Sequence, residues 1–134
     1  MRTKLAMVAG ITALAMSGSS ASAHHAFAAE FDANKPVNFK GTITKMEWIN
    51  PHSWLHVMVS DAATGQQGVW ALELSSPARL KRMGMSADSV KPGDAISVTF
   101  HPLKDGARGG QFLQAVLPDG KQIIRANAGD ENAP

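Results

Sequence analysis

Histidines are the residues best suited to chemistry in this sequence, which contains five of them and no cysteine. Cleavage after Ala23 would make His24 the N-terminal residue, so that one residue offers an α-amino nitrogen and a ring nitrogen. Two such nitrogens form a chelate that suits Cu(II), and the low pKa of an α-amino group lets the metal displace its proton. His25 adds an imidazole, and His52 or His56 would supply a third ligand. The sequence thus offers, as an alternative to a plain ligand-binding protein, a copper site resembling a histidine brace with His24, His25 and His52 as ligands.

The alternative is that His24 and His25 are solvated residues of a flexible N-terminal arm. His52 and His56 face the same side of a predicted strand, but four residues separate their Cα atoms by about 13 Å. They could not hold one metal unless the strand bulged near the turn at Asn50. They therefore fit a surface that binds a ligand better than a shared metal site.

Two tryptophans, Trp48 and Trp54, flank the turn signal at Asn50. Either could be a core anchor, because a buried tryptophan removes about 200 Å² from water. The other role is a stacking surface, since five-stranded Greek-key barrels bind ligands on the face of their second and third strands. The sequence predicts a ligand-binding surface made of Trp48, Asn50, His52, Trp54 and His56.

Signals for catalysis are poor. The chain has no G-x-S-x-G elbow, no phosphate loop and no H-E-x-x-H helix. Ser53 directly follows His52, and neighbours on a strand point to opposite faces, so the two cannot act as nucleophile and base. Glu47 and Glu73 could form an acid pair, but nothing in their spacing requires it. We therefore predict a protein that binds rather than catalyses, with no catalytic residue.

Residues 1–23 have the pattern of a secretory signal peptide. Arg2 and Lys4 precede an apolar run, Leu5–Met16, that is too short to span a bilayer. Ala21–Ala23 supplies the small residues of a cleavage site, which predicts export to the periplasm with cleavage after Ala23. A buried amphipathic helix is the alternative. No later segment is apolar enough to be transmembrane.

The charge of the predicted mature chain is balanced. Two of the 13 lysines and arginines lie in the leader, which leaves 11 against the 11 acidic residues. An electrostatic nucleic-acid binder needs a basic face, so the sequence predicts no nucleic-acid partner. A small ligand or a periplasmic protein is the expected partner.

Short strands and one short helix must position these side chains. Alternation predicts strands over 37–48, 53–60, 69–74, 95–100, 111–117 and 121–125. Ser76 and Pro77 predict a helix N-cap and first turn, and Gly84 predicts its end. Three strands, a helix and then two or three strands is the order of a small OB-like Greek-key β-barrel, an all-β fold with one short helix. A β-sandwich is the alternative, although it would need about seven strands.

The predicted organisation has four parts: a signal peptide over 1–23, an N-terminal arm over 24–36, an OB-like barrel domain over 37–125 and a flexible tail over 126–134. The predicted core comprises the inward-facing residues Phe39, Ile43, Leu55, Val57, Leu72, Ile96, Val98, Phe100 and Leu113.

Two segments, Ala23–Asp32 and Lys40–Trp54, resemble a family of small exported bacterial proteins known as domain of unknown function 6152. The resemblance continues through Ser76–Pro77, Leu80, Lys91–Asp94 and Leu117–Gly120. It covers nearly all of the mature chain, and its most specific stretch runs from Trp48 to Trp54. The resemblance implies an exported barrel and carries no activity.

Overall fold

The computed structural model describes residues 27–124, and the chain divides into two units, Met1–Glu30 and Phe31–Pro134. In the first unit, residues 27–30 form one helical turn. The predicted leader, its cleavage site and the predicted tail lie outside the described residues. Between residues 27 and 124, no helix is both long and apolar enough to cross a membrane.

Six strands and one helix make up the second unit. In chain order they are β1 (Val37–Glu47), β2 (Trp54–Asp61), β3 (Gln66–Glu73), α1 (Pro77–Arg82), β4 (Ala95–Pro102), β5 (Gly109–Val116) and β6 (Gln122–Ile124). The strands lie in the order β3-β2-β1-β4-β5-β6, and β3 also pairs with β5 in parallel. This last pairing closes five strands into a barrel, with β6 added at the edge of β5. The predicted small all-β barrel is confirmed, and the sandwich alternative is wrong.

The barrel interior follows from strict alternation on the central strands. Leu55, Val57 and Val59 of β2 are fully buried, whereas the residues between them lie on the outer face. Every predicted core residue is buried except Leu113, which is half-buried. The β4–β5 register shifts there, because Thr99 pairs with Gln114 while Phe100 pairs with Phe112. Leu113 is thus the extra residue of a bulge, and Phe112 takes its place inside.

A second bulge changes the phase of β1. Ile43 pairs with Val57, but the next pair along β1 is Lys45 with His56, so Thr44 is the extra residue. Without it, residues 43, 45 and 47 would all point inward. With it, Met46 turns toward the core and Glu47 turns outward. This one-residue shift decides which side chains reach the outer face.

The helix α1 forms where its capping residues predict. The Ser76 side chain accepts a hydrogen bond from the Arg79 backbone N–H, and Pro77 occupies the first turn. Leu80 is buried in the same core as the strands. Because α1 follows the carboxyl end of β3, Leu80 packs at that end of the barrel.

Glycines allow the closing strand to approach its neighbours. A Cβ on Gly110 would lie 2.3 Å from the His101 carbonyl oxygen, and one on Gly109 would lie 2.9 Å from the carbonyl oxygen of Ala71. Both distances are shorter than a carbon atom tolerates, so β5 fits between β3 and β4 only with glycine at these positions.

Candidate functional site on the outer face of strands β1 to β3

Trp54 stands between two glutamates on the outer face of the barrel. The register pairs Trp54 with Glu47 of β1 on one side and with Glu73 of β3 on the other. His56, two residues further along β2, points to the same face. All these side chains are at least partly exposed.

Each glutamate contacts a different histidine. His56 Nε2 lies 2.9 Å from Glu47 Oε2, and His52 Nδ1 contacts Glu73 Oε1. We call these five residues the His–Glu face; its members are Glu47, His52, Trp54, His56 and Glu73. Lys45 also forms an ion pair with Glu47, through Oε1. The indole therefore lies between two histidine–carboxylate pairs.

The electrostatics favour a charged Glu47. The hydrogen bond from Lys45, and after it the one involving His56, holds the pKa of the Glu47 carboxyl below its ordinary value of 4.5, although desolvation opposes this lowering. At neutral pH the His–Glu face thus presents the charged carboxylate of Glu47, which contacts Lys45 on its own strand and His56 on β2.

Backbone contacts of Ser53 hold His52 beside Glu73. The Ser53 N–H donates to the Ser75 carbonyl over 3.1 Å, and its own carbonyl accepts from the Leu74 N–H over 2.9 Å. Ser53 is fully buried, and its hydroxyl donates to the Ile49 carbonyl. These contacts fix the β1–β2 loop against the end of β3, so the neighbouring His52 is held near the glutamate.

The predicted ligand-binding residues are placed in two groups. His52, Trp54 and His56 belong to the His–Glu face. Trp48 is half-buried and packs against the core, which is the anchor role considered for it from the sequence. Asn50 is exposed in the loop and precedes a cis peptide bond.

The copper ligands His24 and His25 lie outside the described residues. Within 27–124, no three histidines or carboxylates are grouped closely enough to hold a metal ion, and His52 already contacts Glu73. The copper interpretation stays a prediction. Titration with Cu(II) of the protein that begins at His24, compared with a form whose N-terminal amine is blocked by acetylation, tests it, because acetylation removes the α-amino ligand of the chelate.

Sequence reasoning did not find the two glutamates as partners of the histidines. Glu47 and Glu73 were considered as an acid pair, but they flank Trp54 two strand spacings apart, about 10 Å. Each carboxyl group serves its own histidine. The signal that could have indicated Glu47 is the weak strand around Gly41 and Thr44, where a bulge changes which side chains face outward.

A family model matches residues 12–113 of the chain, and its description is a family of unknown function, DUF6152. The chain belongs to this family. The match includes the whole His–Glu face and the strands β1 to β4 that build most of the barrel. No significant match was found among the curated proteins or among the solved structures.

Proposed function

We propose that this protein is an exported, non-catalytic barrel that binds a small ligand through the His–Glu face. One observation carries the proposal: a partly exposed indole is bordered on both sides by carboxylates that histidines hold in place. The face is centred on β2 and extends onto β1 and β3, and small five-stranded barrels bind ligands on the face of their second and third strands.

The chemistry of the face favours a sugar-like ligand. An indole ring offers a flat apolar surface for the C–H face of a sugar ring. Carboxylates and imidazoles on both sides supply acceptors and donors for hydroxyl groups. Two glutamates would repel a phosphate backbone, so the same surface disfavours nucleic acid. Of the two histidines of the face, His52 is the more open to a ligand, with 54% of its side chain exposed against 24% for His56.

The contacts that the two glutamates already make fit a binding role better than a catalytic one. Both glutamates already contact an imidazole, and Glu47 also pairs with Lys45. Such pairs fix the side chains in position, which lowers the conformational entropy that binding a ligand would otherwise cost.

A titration with soluble mono- and disaccharides, including amino sugars, tests the ligand class. We expect NMR shifts at the Trp54 indole N–H and at His56 in the native protein, and we expect W54A to abolish the shift at His56. M58A is the matched control, because Met58 lies on the same face of β2, is 41% exposed and belongs to neither histidine pair. Sugar binding that persists in W54A, or no binding of any sugar by the native protein, would contradict the proposal.

Export has its own test. Intact-mass analysis of the periplasmic fraction should give a chain that begins at His24. A chain that retains residues 1–23 would show that the cleavage prediction is wrong.

A further inference from the structure

A cleft opens at the end of the barrel opposite α1, away from the His–Glu face. It lies where β1, β3 and β5 begin and where β4 ends, and its volume is about 480 Å³. We call it the mouth cleft. This volume falls within the range of sites for small organic molecules, roughly 300–1,000 Å³.

Aromatic rings form its apolar wall. The Phe39 ring centroid lies 5.2 Å from that of Trp70 in an edge-to-face arrangement and 5.6 Å from that of Phe100. All three residues line the cleft, and Val37 and Leu103 extend the apolar surface. Phe39, Trp70 and Phe100 are 9%, 6% and 1% exposed, so only a small part of each residue faces the cleft, and core packing holds that part in place.

Arg108 is the charged residue of this lining. Its Cζ atom lies 5.6 Å from the Trp70 ring centroid, so the guanidinium sits over the aromatic wall. The side chain also lies against Gly68, where a Cβ would come within 3.0 Å of Nε. Within residues 27–124, no carboxylate forms an ion pair with Arg108, and none lines the cleft. The guanidinium N–H groups are therefore available to a ligand, and the Gln66 amide is the other polar side chain nearby.

We propose that the mouth cleft binds a small organic carboxylate with a flat apolar body. The Arg108 fork would bind the carboxylate through two parallel hydrogen bonds, and the body would pack on the aromatic wall. This site is independent of the proposed function, because no residue of the His–Glu face lines it.

Titration with trans-cinnamate, and with neutral cinnamamide of nearly the same shape, tests the proposal. The NMR reporters are the Trp70 indole N–H and the backbone amides of Gly106 and Gly109 at the cleft. We expect cinnamate to shift all three and to bind at least about tenfold more tightly than cinnamamide, the effect of one charged hydrogen-bonding group.

Variants at the loop between β4 and β5 locate the charge. R108Q should reduce cinnamate affinity at least about tenfold and leave cinnamamide unchanged, whereas K104Q, which removes a charge from the same loop outside the lining, should bind as the native protein does. R108K keeps the charge but loses the fork, so its affinity for cinnamate should fall between those of the native protein and R108Q. If R108Q does not fold, R108K tests the role of Arg108 in its place. Equal affinities for the two compounds, unchanged cinnamate binding in R108Q and R108K, or shifts confined to the His–Glu face would each overturn the proposal.

Discussion

The His–Glu face and the mouth cleft use the same barrel in opposite ways. On the face, charged groups are paired with one another around a partly exposed indole. In the cleft, a single cation lies over a buried indole without a carboxylate partner among the described residues. The difference indicates what each can accept: the face offers both donors and acceptors to a neutral polar ligand, whereas the cleft offers donors and apolar area to an anion.

The largest effect is expected from a core substitution that unfolds the barrel and so removes both the His–Glu face and the mouth cleft. Val98 is 1% exposed and pairs with Phe39 on one side and Ala115 on the other. V98D would place an unpaired carboxylate in the interior, which costs several kcal/mol. We expect loss of the cooperative thermal transition measured by circular dichroism. V98I, which stays apolar, is the control, and a V98D protein that melts like the native one would contradict the described core.

The two tryptophans separate the regions. Trp70 is 6% exposed and touches Phe39, so W70A should destabilise the protein by about 3–5 kcal/mol in chemical denaturation. Trp54 lies on the outer face, and W54A should cost about 1 kcal/mol. Equal losses in the two variants would mean that the face and the cleft do not differ in burial as described.

Removing one carboxylate should weaken the face and spare the cleft. E73Q removes the negative charge beside His52 but keeps an acceptor oxygen, and an ion pair with an exposed histidine contributes about 0–1 kcal/mol to stability. We expect a small change in the melting temperature and a clear shift of the His52 ring resonances in NMR. The Trp70 indole N–H should not move, and a shift there would show that the two regions are coupled.

The smallest expected effect is a change in how stability depends on pH under acidic conditions. Because the pKa of Glu47 is lowered in the folded protein, its carboxylate stabilises the fold above about pH 4.5. This contribution is lost as the pH falls through the lowered pKa of the folded state. E47Q should therefore reduce the dependence of stability on pH in that acid range and leave it unchanged near neutrality.

The relative effects of Lys45 and His56 on the Glu47 pKa can also be tested. Since Lys45 lowers the Glu47 pKa more than His56 does, K45A should raise it further than H56A in an NMR titration of the carboxyl group. The reverse order would show that the histidine is the main partner of Glu47.

The sequence predicted those parts of the fold that depend on neighbouring residues. Alternation placed Leu55 and Val57 in the core, and Ser76 marked the start of the helix. It misplaced Leu113, because a bulge shifts the phase by one residue without a clear local signal. The predicted strand over 95–100 also ends too early, because β4 runs to Pro102 and His101 lies in it opposite Gln111.

The candidate site was also predicted only in part, because bulges and strand register decide which side chains meet. The residues His52, Trp54 and His56 stand close together in sequence, so their common face on or beside β2 could be predicted. Their partners could not, because Glu47 depends on the bulge in β1 and Glu73 on the register of β3. Cross-strand register is set by the packing of the whole barrel rather than by local sequence.

The junction of β3 and β5 also determines where the barrel opens. Only three residue pairs join these strands, against six to eight in each other pairing within the barrel. The junction is also the one parallel pairing in the described sheet, a type slightly weaker per residue. Local opening should therefore begin there, so the Gly110 amide should exchange with solvent deuterium sooner than the amides at the centre of β2.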